Sequence, residues 1–313
     1  MSVNCPVSNK FKNTSFYNSF GNITEMEHNL MLFLQNGFWC TGAWIGITNS
    51  MDLGQLRQMD TTYCSGLTAE TAYHSIMGGW VYDSSLVFTD EDNINHSPLP
   101  VQVYVSGVLQ PSGSYSVDYQ RGCVVFTSVP VGDVTAQYSL SLVNVLIADD
   151  TNWWVELESN SWDIDNFNFS QCSTNAWDFN KNRVNLPVIA IKTVSSTKLP
   201  WSLRDGMCNM KYKYEMVVDL YIYSEKKCDI DKFSDFITLQ AFRRINTFDV
   251  KAAYHSGDYN PACPQNSLSY SNLLNTYGAG CVELHGISRT SSSIIRPNLR
   301  ECVLRVNVSY ITS

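Results

Sequence analysis

The feature that most constrains the fold is the run YKYEMVVDLYIY, from Tyr212 to Tyr223. Tyr212, Tyr214, Met216, Val218, Leu220 and Ile222 share one face of an extended chain, while Lys213, Glu215 and Asp219 take the other. Alternation sustained over this length predicts a strand with one buried face; a helix would bring its apolar residues back at every third and fourth position. A second such run closes the chain. In ECVLRVNVSYI, Cys302, Leu304, Val306, Val308 and Tyr310 alternate with Val303, Arg305, Asn307 and Ser309. LPVIAIKTV (186–194) and CVELHGISR (281–289) also read as strands. A helix capped by Asp229 or Asp231 is expected to carry Ile230, Phe233 and Phe236 or Ile237 into a core. A polar stretch from Ser256 to Asn266 and a short helix around Ser271 to Asn275 follow. Residues 184–313 therefore read as an α+β domain, an antiparallel sheet with one main helix on a face.

The front of the chain has a different pattern. In NITEMEHNLMLFLQNG, Thr24 and Glu27 have capping-box spacing, and Met26, Leu30 and Phe33 or Leu34 fall on one helical face. Gly37 is placed to end that short amphipathic helix, and a second helix is expected from Thr68 to Met77. Residues 98–148 form a β module. Val101, Val103 and Val105 share a face; SYSVDYQRGCVVF reads as strand, turn at Gln120-Arg121-Gly122, strand; and VTAQYSLSLVNVLIA supplies one long further strand. The expected divisions are 1–97, helical and irregular; 98–148, an antiparallel β-sandwich-like module; 149–183, a connecting segment rich in Asp, Asn, Ser and Trp; and 184–313.

Composition limits the function classes. With 313 residues the chain has room for about two domains. A 44% hydrophobic content excludes disorder as its main description. Charged residues make up only 16%, against roughly 25% in typical soluble domains. Charge depletion is a property of subunit interfaces. A net charge of −8, with no basic run longer than pairs such as Lys226-Lys227 and Arg243-Arg244, argues against a general grip on nucleic acid. The ten cysteines include no C-x2-C knuckle, so neither zinc nor any other metal is expected, and most of the thiols are expected to be buried. MSVNCPVSNKFKNTSF has no apolar core of a signal peptide, and no apolar run reaches the length of a membrane helix. Synthesis in a reducing cytosol follows as the expectation, with no membrane partner.

The sequence has no nucleophile elbow, zinc-protease helix, phosphate-binding loop or dinucleotide fingerprint. His28, His74, His96, His255 and His285 are scattered, and no catalytic residue or cofactor is expected. Of the acidic pairs and clusters, DIDNFN (163–168) begins like a calcium loop, but it has Phe167 at the fifth position and Thr174 at the twelfth. Asp90-Glu91-Asp92 reads as a solvated loop. Trp153, Trp154, Trp162, Trp177 and Trp201 fit either a sugar-stacking platform or buried contacts between subunits; the low charge favours the contacts.

Two stretches carry a family resemblance. PVQVYVSGVLQPSGSYSVDYQRGCVVFTSVPVGDVTAQYSLSLVNVLIADDTNWW resembles a β module of tailed-bacteriophage virion proteins, with its V-x-V-x-V-x-G-V strand and Y-x-V-D-Y-x-x-G-x-V-x-F hairpin. NRVNLPVIAIKTV and YKYEMVVDLYIYSEKKCDIDKFSDFI resemble the neck or tail-terminator pattern: an LP-containing strand, a long alternating strand, then an amphipathic helix. The resemblance covers about residues 98–245. It implies a non-enzymatic virion protein with a tail-terminator-like C-terminal domain, assembled as a homo-oligomeric ring, commonly hexameric, at the head-to-tail neck. Its implied partners are connector or neck proteins and the tail tube or sheath, with viral DNA in transient passage; the net charge of −8 adds the expectation of an acidic lumen that does not hold phosphates. Simple terminators lack so large an N-terminal half, which leaves an adaptor role open beside the terminator role. A baseplate or receptor- and glycan-binding subunit is the alternative station.

Overall fold

The computed structural model describes residues 22–58, 71–119, 122–148, 186–200, 212–259, 268–296 and 299–312. Across them the chain is mixed α+β and mostly sheet.

Helix α1 spans Asn22–Cys40. Gly37 lies inside it, and the stop falls at Gly42 (φ +78). There Gly42 N–H donates to Trp39 O (3.0 Å) and Ala43 N–H to Phe38 O (3.0 Å), the paired bonds of a Schellman cap. The helix is not amphipathic as the spacing predicts. Met26, Glu27, His28, Asn29, Leu30, Met31 and Leu32 are all buried, so nearly two consecutive turns are enclosed on every side.

Short strands follow: β1 (Trp44–Ile47), β2 (Arg57–Gln58), β3 (Ala72–His74), β4 (Phe88–Thr89), β5 (Asn95–His96), β6 (Gln102–Val105), β7 (Val108–Leu109), β8 (Tyr115–Asp118), β9 (Cys123–Phe126) and β10 (Val134–Ser141). They form two four-stranded sheets, ordered β1-β10-β6-β7 and β2-β3-β9-β8, and a separate β4-β5 hairpin. Ile47, Val103, Ala136 and Tyr138 from one sheet and Val124 and Phe126 from the other share a core. Trp80 stacks on Tyr138 at 4.0 Å within it and donates from Nε1 to Met77 O. Residues 72–74 are strand where a helix was expected. Ala72 and His74 turn inward and pair with Val125 and Cys123 of β9, a tertiary pairing that overrides local preference. Gln120 and Arg121 lie outside the described residues, and Gly122 follows them in the left-handed conformation (φ +62).

The single long strand expected from VTAQYSLSLVNVLIA is two strands in two different sheets. β10 ends at Ser141, and β11 (Asn144–Ile147) leaves the first sheet to run parallel to β12 (Val188–Pro200). The crossing is held by Trp39, whose indole N–H donates to Ser141 Oγ (2.9 Å), while that hydroxyl donates to Val143 O (2.6 Å).

The remaining elements are β13 (Tyr212–Ser224), α2 (Lys227–Thr238), β14 (Arg244–Phe248), α3 (Val250–His255), α4 (Tyr270–Tyr277), β15 (Gly278–Arg296) and β16 (Leu299–Thr312). The six-stranded sheet runs β11-β12-β13-β16-β15-β14. Its β11-β12 pair is parallel, so the sheet is mixed where an antiparallel one was expected. The alternation read from sequence holds on its main strands: Met216, Val218, Leu220 and Ile222 of β13 and Cys302, Leu304, Val306 and Val308 of β16 are at most 1% exposed. At about 1.5–3 kcal/mol for each large apolar side chain, these residues carry much of the fold. All of α1, α2, α3 and α4 pack into this one core, in place of one main helix. In α2, Ile230, Phe233 and Ile237 are buried and Phe236 rests on Phe38. Asp229 and Asp231 do not cap α2, because its N-cap is Lys226. Ser224 sets the earlier start, accepting from Lys226 N–H (3.2 Å) and donating to Asp229 in the first turn (3.1 Å).

Candidate assembly surface

A sheet exposes unpaired backbone groups along its edges, and these either take partners or are sealed. Two side chains of α1 seal part of each edge. Glu27 Oε1 accepts from Thr193 N–H of β12 (3.0 Å). Asn29 Nδ2 donates to Phe248 O (3.1 Å) and its Oδ1 accepts from Phe248 N–H (2.9 Å) at the end of β14. Tyr270 of α4 adds a third seal, donating to Asn246 O (2.9 Å). Since β12 and β14 stand near opposite ends of the strand order, the sheet must curve around α1 for one helix to reach both.

Beyond these seals the long strands continue. β11 pairs with β12 only as far as Ile191, and residues 194–199 are all exposed. β14 pairs with β15 only through Glu283, and residues 288–294 of β15 are likewise exposed. Each segment keeps one strand neighbour, β13 or β16, and has no strand on its other side among the described residues.

The sheet face away from the helices carries an ion pair at its centre. Asp219, 4% exposed, sits opposite Arg305 in register. Arg305 Nε and Nη2 donate to the two carboxylate oxygens, each at 2.8 Å. This bidentate bond raises the guanidinium pKa. Both residues stood on the polar faces of the two alternating runs, so pairing those runs was the signal that could have found the contact.

Two groups on α1 titrate unusually. Burial, reinforced by Asp249, raises the Glu25 carboxyl to about 7. Burial lowers His28 to about 4, where its Nδ1 lies 2.6 Å from the Tyr259 hydroxyl in a fully enclosed contact.

The other residues singled out in the sequence disperse. Trp153, Trp154, Trp162, Trp177 and Trp201 lie outside the described residues, as do Asp149, Asp150, Asp163 and Asp165. Trp39 and Trp80 are described and are buried core residues. The histidines sit on separate elements, α1, β3, β5, α3 and β15. Asp90 organises the β4-β5 turn, accepting from the backbone of Asp92 (3.0 Å) and Ile94 (2.8 Å) and pairing with His96 (2.8 Å). Of the described cysteines, Cys123 and Cys302 are buried and Cys40, Cys228 and Cys281 are exposed; Cys5, Cys64, Cys172, Cys208 and Cys263 lie outside the described residues. Among the described residues no group of three His, Cys, Asp or Glu side chains gathers as a metal site, and no helix is long and apolar enough to cross a membrane.

Comparison with known proteins finds no matching family model and no similar curated protein.

Proposed function

We propose that the chain is a structural subunit of a tailed-phage virion, a tail terminator or adaptor at the head-to-tail neck that assembles into a homo-oligomeric, commonly hexameric, ring. The resemblance of residues 98–245 motivates the station. The observation that carries the assembly role is the pair of strand segments, 194–199 and 288–294, that run exposed past the sealed part of the sheet. Strand segments of this length with no strand on one side among the described residues are templates for another chain. They lie on opposite sides of one sheet, as a head-to-tail, ring-closing contact requires. The virion is then the destination, and connector and tail proteins are the neighbours above and below. The net charge of −8 supports a lumen that lets DNA slide, because it offers phosphates few cations to hold them.

Native mass spectrometry of the purified chain, alongside a glycan array, tests this reading. A closed oligomer of defined copy number without glycan binding supports it. A monomer that binds glycans supports a baseplate or receptor-contacting subunit and overturns the ring.

A further inference from the structure

The turn between α2 and β14 presents an apolar knob built at a conformational cost. Phe242 has φ +62, the left-handed region where side chains other than glycine are disfavoured and where a bulky residue is a true outlier. Glycine is the usual residue just past a helix end in this conformation. Phe242 gains no packing among the described residues in return. It is 84% exposed and makes no ring contact among the described residues. Leu239, one turn earlier, is 77% exposed. Strain kept beside solvent-exposed apolar surface points to a contact outside the chain.

The charges around the knob narrow its partner. Arg243 donates to Gln240 Oε1 (2.8 Å) and forms no ion pair among the described residues. Arg244 pairs with Glu283 at 2.6 Å but stays 73% exposed. A fitting surface is therefore apolar and acidic, and this chain carries one. The β4-β5 turn, held rigid by Asp90, presents Ile94 (54% exposed) beside exposed Glu91 and Asp92, which form no ion pair among the described residues. We infer that Phe242 and Leu239, with Arg243, dock on the Ile94, Glu91 and Asp92 turn of a second copy of this chain. The knob precedes β14 and the acidic turn joins β4 to β5, so the two are separate patches, and a contact made head to tail between them can repeat from copy to copy. The inference rests on the ring reading and adds the residues of one of its contacts.

The test uses the full chain, with association followed by sedimentation velocity and native mass spectrometry. Phe242→Gly removes the knob and relieves the backbone, so its melting temperature should hold or rise while association weakens by at least about thirty-fold, the scale of a hot-spot truncation. Arg243→Glu and Asp92→Arg should each weaken association, and the two together should restore much of it. Oligomers unchanged by Phe242→Gly, or no restoration in the double charge swap, overturn this contact and leave the ring standing. A wild-type chain that stays monomeric overturns both.

Discussion

Asn29 and Phe248 exchange hydrogen bonds as two residues on neighbouring strands would, although Asn29 is on a helix. Its amide donates to Phe248 O and accepts from Phe248 N–H, closing the end of β14 where no further strand follows among the described residues. Replacing it with Leu leaves two buried backbone groups unpaired at about 1–3 kcal/mol each, so Asn29→Leu should lose about 2–6 kcal/mol in urea unfolding. Asn29→Asp should also destabilise, because a carboxylate cannot donate to Phe248 O. A loss below about 0.5 kcal/mol, the usual range of surface substitutions, would contradict the sealing role.

Glu25 and His28 set opposing pH dependences. Glu25 has its folded pKa raised from 4.5 to about 7, so the folded state holds the extra proton; this contribution is complete below 4.5 and is lost as pH rises through about 7. His28 has its folded pKa lowered from 6.5 to about 4; its contribution is present above 6.5 and is lost as pH falls through about 4. Between about 4.5 and 6.5 the two slopes oppose each other. Glu25→Gln should therefore expose a stability that falls with acidification across this window. His28→Gln should expose one that rises with acidification. Melting temperatures of the three proteins at intervals from pH 4 to 8 check both signs.

Two glycines near one helix end should respond in opposite directions. Gly37 lies within α1, and a Cβ added there meets nothing within 4 Å, so Gly37→Ala should stabilise by about 0.5–1 kcal/mol. At Gly42 the left-handed φ is joined by Phe88 Cδ1 only 2.7 Å from an added Cβ. Gly42→Ala should destabilise by at least about 1–2 kcal/mol. Chemical denaturation of the two variants side by side measures the contrast.

Asp219 and Arg305 should behave as one unit. Arg305→Met leaves a buried carboxylate without its bidentate partner and should lower the melting temperature more than Arg305→Lys, which retains the charge. Adding Asp219→Asn to Arg305→Met should cost less than the sum of the single changes. Strict additivity in this double-mutant cycle would show that the contact carries no coupling.

β13 and β16 were legible because one face of each supplies the main core: the positions that alternate from Met216 to Ile222 and from Cys302 to Val308 enter it, whereas β12 is buried on both faces from Val188 to Ile191. β14 and α3 were not. A bulge between Thr247 and Phe248 disturbs the short pairing of β14, and the six residues of α3 are too few to display a period. Glu27 reads as a capping-box residue, and His28 and Asn29 match no motif, yet each is buried and hydrogen-bonded to a distant element. Long-range partners of that kind leave no local pattern. Phe242 was equally hidden, since a left-handed backbone has a sequence signature only where glycine occupies it.

Electron microscopy of the purified full-length chain in negative stain addresses the ring itself. Closed rings with a central opening and one subunit count, lost or loosened in Phe242→Gly, are the result this account predicts. A uniform field of single subunits, at concentrations where the chain remains folded, would contradict it.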